Sequence, residues 1–169
     1  MPPQRGPFDP LPLPLGARLV PAISIVAASL LTLWPVIVEF PMLPPIGLMM
    51  LLGWRLLQPD ALPIWAPLPL GLVDDLLSGQ PFGSAMLFWT ISFIAIDSID
   101  QRLIARDFWQ DWLLASAAIG SYLLFSRLIA TRLDAHVDMI LLVQIIVSIM
   151  LYPVIAQFVG ALNRRRAAL

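Results

Sequence analysis

The 169-residue chain has no cysteine, no lysine and one histidine, and only 12% of its residues are charged. Without cysteine there is no disulfide, no thiolate metal ligand and no thiol nucleophile. A single histidine leaves little from which to build a transition-metal site. A soluble domain is roughly one-quarter charged, so this chain does not form an ordinary water-exposed globule. Its net charge of −1 carries no electrostatic footprint for nucleic acid. The N-terminus lacks the basic start and clean cleavage site of a secretory signal, and the apolar run behind it is too long for one.

Hydrophobic residues make up 59% of the chain, mean hydropathy is +0.86, and there are 17 prolines. Apolar runs of about 20 residues cross a bilayer core, and several fit here, so the fold class is an all-α polytopic membrane bundle of about six transmembrane helices. Residues 1–16, with six prolines between Pro2 and Pro14, read as a retained extended or disordered cytoplasmic tail. A six-span membrane domain follows over 17–163, and 164–169 form a basic cytoplasmic tail. The predicted spans are Arg18–Val38, Met42–Leu57, Leu62–Leu77, Pro81–Ile96, Trp112–Ala130 and Met139–Leu162. Pro63, Pro67, Pro69 and Gly71 crowd the third, which predicts a kinked or partly unwound segment buried among its neighbours. Asp97 to Asp111 has helical spacing of Ile99, Leu103, Ile104, Phe108 and Trp112, the pattern of an interfacial amphipathic helix. Thr131–Asp138 reads as a short polar loop. Eight of the ten arginines fall on one side if both termini are cytoplasmic; only Arg127 and Arg132 fall on the other. That asymmetry orients the bundle with both ends inside.

Asp74 to Gly83, DDLLSGQPFG, is the polar interruption that matters most, because charge at membrane depth is costly. Its Ser78-Gly79 and Pro81 mark a helix end followed by a new helix start. Gly79 is the expected C-cap with positive φ. Adjacent helical residues point about 100° apart, so Asp74 and Asp75 do not share one cavity. Both stand near a helix C-terminus, where the dipole disfavours them. For Asp74, the two readings are solvation at the outer interface and a functional role. Asp75 is the stronger site residue, stabilised either by Arg127 or by the amide-rich start of the fourth span near Phe82 and Gly83. Arg127 snorkelling to the interface is the plainer account of that residue.

Asp134, His136 and Asp138 alternate in the outer loop but lack further ligands, so no metal site is assigned. No nucleophile motif accompanies the histidine, which leaves catalysis without a constellation. Ala117, Gly120 and Ser121 permit close helix contact, read as packing within the chain. Arg164–Arg166 act as a topology signal, with anionic lipid or a cytoplasmic filament as further partners.

Short helices, an irregular third span and the pattern G-x-x-x-D-x-x-S-G-x-x-x-G, carried by Gly71, Asp75, Ser78, Gly79 and Gly83, together resemble the rod shape-determining MreD family. Pro45 and Pro153 are also similar to that family. The resemblance implies a non-enzymatic, cofactor-free inner-membrane scaffold of cell elongation. Its implied partner is MreC, within an assembly that includes the MreB filament, RodA and its penicillin-binding protein. It also implies a fold similar to the substrate-capture component of energy-coupling-factor transporters. Capture of a small solute or vitamin is therefore the alternative function, and it requires converging polar groups in a cavity.

Overall fold

The computed structural model describes residues 14–31, 44–78, 82–100, 107–130 and 135–167. These form six α-helices: α1 (Leu15–Leu31), α2 (Ile46–Leu57), α3 (Pro67–Ser78), α4 (Ser84–Asp100), α5 (Phe108–Ala130) and α6 (Ala135–Ala167). A single 3₁₀ turn, Pro59–Ala61, follows α2, and no strand occurs among the described residues. Among the described residues the helix count is six, as expected, and of these helices only α6, over Met139–Ala167, is long and apolar enough to cross a membrane by itself. Gly16–Leu31 and Ile46–Leu57 are apolar and shorter. At 1.5 Å per residue, the 12 residues of α2 cover about 18 Å, against a hydrocarbon core of roughly 30 Å.

At α2 and α3, proline begins the helix rather than breaking it, whereas Pro21 and Pro153 stand inside α1 and α6. Pro45 caps α2, and its carbonyl accepts from the Met49 amide at 3.0 Å. The prolines expected to kink the third span instead precede or open α3: Pro63 accepts from Ala66 N–H in a turn, and Pro67 and Pro69 stand in the first helical turn. A first-turn residue has no intrahelical acceptor for its N–H, so losing that donor costs nothing there. Other boundaries also move. Asp97–Asp100 complete α4, residues 101–106 lie outside the described set, and α5 starts at Phe108. The 131–138 loop is shorter than expected, because α6 already begins at Ala135. Residues 32–43, which include the end of the predicted first span, lie outside the described residues.

At the centre is α2, buried without interruption from Gly47 to Leu56. It packs on α1 and α6, and it also touches α4 and α5. In lipid there is little hydrophobic drive between helices, so close backbone approach must supply the packing. Gly53 provides it toward α6: a Cβ there would stand 3.0 Å from Val159 Cγ2. Gly120, by contrast, meets nothing within 4 Å, so the small residues of α5 make no close contact at that point. On α6, Met139, Leu142, Ile146, Met150, Val154 and Phe158 are exposed at three- to four-residue spacing. So long an apolar face is at home in lipid and unsuited to water.

At the end where α2 and α4 finish, Arg55 is buried and pairs with Asp97 and Asp100, the latter at 3.2 Å. Its guanidinium also lies 5.1 Å from the centroid of the Phe93 ring. The sequence reading counts Arg55 only as a topology charge. Its partners stand more than forty positions away, so no local spacing reveals them.

Candidate functional site

Asp75 ends its helix with its charge in the wrong place for its own dipole, and the neighbouring helix corrects this. Its Oδ1 accepts from the Ala85 amide at 2.8 Å and the Ser84 hydroxyl at 3.1 Å. Its Oδ2 accepts from the Gly83 amide at 3.0 Å and the Met86 amide at 3.2 Å. The first amides of a helix have no intrahelical acceptor. Asp75 therefore does for α4, from across an interface, what an N-cap side chain does within its own helix. It also places a negative charge at the positive end of the α4 dipole. Hydrogen bonds to a charged group are worth about 1.5–3 kcal/mol each, and Asp75 itself is only 3% exposed. Of the two sequence-level sources of stabilisation, the amide-rich start of the fourth helix supplies these four donors. Arg127, in the last turn of α5, contributes none of them.

Two glycines make this contact geometrically available. Gly71 lies one turn before Asp75 and so on the same face of α3. A Cβ on Gly71 would stand 2.6 Å from Met86 Cα, 2.8 Å from Met86 N and 2.9 Å from the Ala85 carbonyl carbon. The two backbones thus touch directly, and the Asp75 carboxylate drops onto the first turn of α4. Gly83 has a φ of +91°, in the left-handed region that L side chains rarely adopt. Open space surrounds its missing Cβ, so conformation alone requires glycine there. This turn aims its own N–H, and then those of Ala85 and Met86, at one carboxylate. Ser78 donates back to the Asp74 carbonyl at 2.7 Å, closing the last turn of α3. Gly79, the expected left-handed glycine, lies outside the described residues, and the left-handed position among those described is Gly83.

Asp74 points elsewhere, as the helical angle requires, but it is not solvated: it is 8% exposed and faces the bundle interior. The solvated interfacial reading fails for that reason. Its carboxylate takes a hydrogen bond from Ser29 of α1. A Cβ on Gly47 of α2 would stand 3.0 Å from Asp74 Oδ1 and 3.0 Å from Trp89 Cη2, and would collide with Ser29 Oγ. Four helices therefore meet at Gly47, around one carboxylate. Tyr122 of α5 is buried within electrostatic range of the same carboxylate. Gly47 carries no signal in the sequence, because its neighbours come from three distant segments.

A carboxylate has about four lone-pair sites, and Asp75 uses four. It has none left for a solute or for a proton-transfer partner, and its chemistry is that of a latch between α3 and α4. Among the described residues no three His, Asp or Glu side chains are grouped as metal ligands. Asp134 and the side chains of His136 and Asp138 lie outside the described set.

The family model described as rod shape-determining protein MreD matches residues 16–162. No curated protein and no solved structure matches the chain.

Proposed function

We infer a scaffolding role from one premise: this chain belongs to the rod shape-determining protein MreD family. The family is membrane-associated and concerned with cell shape. Within that role, we propose that the protein is a non-enzymatic, multi-pass component of the bacterial inner membrane that binds MreC. Through MreC it helps couple peptidoglycan synthesis by RodA and its penicillin-binding protein to MreB filaments.

The observation that carries this reading is the saturated Asp75 carboxylate. All four hydrogen bonds given to Asp75 come from within the chain, so the Asp74–Gly83 motif stiffens an α3–α4 hairpin. A rigid hairpin and long outward apolar faces suit a partner helix better than they suit a captured solute, which would need polar groups left over. The test is co-purification of the full chain with MreC from detergent-solubilised membranes. Stoichiometric recovery supports the scaffold. An isolated chain that retains a small organic solute and ignores MreC would overturn it in favour of capture.

The arginine distribution supports both termini on the cytoplasmic side. A single cysteine introduced at Gln80 should then react with an impermeant maleimide added outside intact cells, and one at Ala168 should not. External labelling at Ala168 contradicts this orientation.

A further inference from the structure

The last turns of α6 hold a charged group that the scaffold reading does not use. Trp112 near the start of α5 donates to the Ile149 carbonyl at 3.3 Å, so α6 continues for about five turns past that contact. There it runs beside α2, and Arg164 and Arg166 reach the end of that helix. The Cβ position of Gly160 lies 3.5 Å from Leu57 Cδ2 and 3.7 Å from Arg164 Nη1, which places the Arg164 guanidinium back along α6 toward the last turn of α2. Arg166 lies over Trp54, its Cζ 5.9 Å from the ring centroid.

Arg166 is 7% exposed, and its Nε and Nη1 are buried with no hydrogen-bond partner among the described residues. A buried charged donor left unused is expensive, and an arginine has five N–H donors in a rigid fork. Of the carboxylates at this end, Asp97 and Asp100 are held by Arg55, and none of Asp60, Asp107 and Asp111 takes a hydrogen bond from Arg166 Nε or Nη1. Any acceptor for these donors therefore comes from outside the described residues.

Its depth identifies its chemistry. Trp65, Phe108 and Trp109 are all exposed, and they lie before α3 and at the start of α5, the same end of the bundle as Arg166. Exposed aromatic rings of this kind mark the headgroup level of a bilayer. A planar guanidinium with two unpartnered nitrogens at headgroup level matches a phosphodiester. Arg164 and Arg165, both exposed on the same turn, add positive potential and so favour a lipid with net negative charge. We propose that Arg166, stacked on Trp54 and flanked by Arg164, binds the phosphate of an anionic phospholipid. The site is independent of the scaffold reading and of the Asp75 latch.

The test uses the full chain, delipidated in detergent and reloaded with phosphatidylglycerol or phosphatidylcholine, with bound lipid counted by native mass spectrometry. Salt is kept high enough to screen exposed charges. The wild-type chain is expected to retain phosphatidylglycerol over phosphatidylcholine. Arg166→Gln should weaken that retention by at least about tenfold, the lower end of the worth of one charge-assisted hydrogen bond. Arg165→Gln removes the same charge from the exposed neighbouring position and should leave retention within about twofold. Arg166→Lys keeps the charge without the fork and should fall between the two, which also covers the case of a Gln variant that fails to fold. Equal effects of Arg165→Gln and Arg166→Gln would reduce the site to a diffuse basic surface and overturn the proposal. So would retention of phosphatidylcholine equal to phosphatidylglycerol, or full displacement of the lipid by inorganic phosphate, which would mark a free-anion site.

Discussion

Gly71→Leu is expected to be the most damaging single substitution in the chain, with loss of the folded, detergent-stable protein and of any rod-shape output. Even the first added carbon would sit 2.6 Å from Met86 Cα and 2.8 Å from Met86 N, both backbone atoms that no rotamer change can move. Relief requires α3 and α4 to separate by about 1 Å, since carbon–carbon contacts settle near 3.5–4.0 Å. The Asp75 hydrogen bonds, now 2.8–3.2 Å, would then stretch past useful length. Overpacking alone costs roughly 1–3 kcal/mol. Losing even half of the latch raises the total to roughly 4 kcal/mol or more, a large share of ordinary stability. Gly71→Ala should already lower the thermal-aggregation midpoint clearly. Gly120→Leu serves as the control, because no atom lies within 4 Å of that Cβ position, and it should be nearly silent. A Gly71→Leu protein with an unchanged midpoint would show that α3 and α4 do not pack as described.

Asp75→Asn comes next and isolates charge from shape. The side chain keeps its volume, but one oxygen becomes an NH₂ group facing two donors, in either flip of the amide. Two of the four present donors then lose their acceptor, at about 1–3 kcal/mol for each buried group left unsatisfied. The charge–dipole attraction, about 0.3–1 kcal/mol or more, disappears as well. The expected loss is about 3 kcal/mol or more, with reduced recovery of MreC if the hairpin presents the partner surface. Asp74→Asn should cost less, because an amide oxygen still accepts from Ser29. Hydrogen exchange distinguishes a specific latch from general destabilisation: the Gly83, Ala85 and Met86 amides should lose protection first in Asp75→Asn. If those three amides exchange as in the wild type, Asp75 is not their acceptor.

The importance of Asp75 was legible beforehand because the reasoning was local. A carboxylate at membrane depth, a helix end and a fresh helix start within ten residues bring an anion close to free amides. The pairing of Gly71 with Asp75 was legible as a one-turn spacing, although not what Gly71 touches. Gly83 was within the motif, but its left-handed conformation was not foreseen; the expectation named Gly79, which lies outside the described residues, since glycine directly after a helix is the commoner pattern. The third-span prolines misled for a related reason. Proline density predicts a kink when the helix boundary is unknown, and the same residues are unremarkable once the helix begins at Pro67.

Composition and hydropathy alone determined the helical membrane class, the absence of thiol chemistry, the approximate place of each described helix and the residue that carries the central motif. These follow from transfer free energies and backbone valence, which act residue by residue. Only the tertiary structure decided which groups compensate the charges. Asp75 is satisfied by the first turn of α4, Asp74 is gathered with Ser29 around Gly47, Arg55 is paired with Asp97 and Asp100, and Arg166 is laid over Trp54. Each of those partners lies outside hydropathy's reach, because a buried charge in lipid sets a demand for a counter-group without naming it. Helix packing at glycine contacts then determines which of the distant candidates comes within 3 Å.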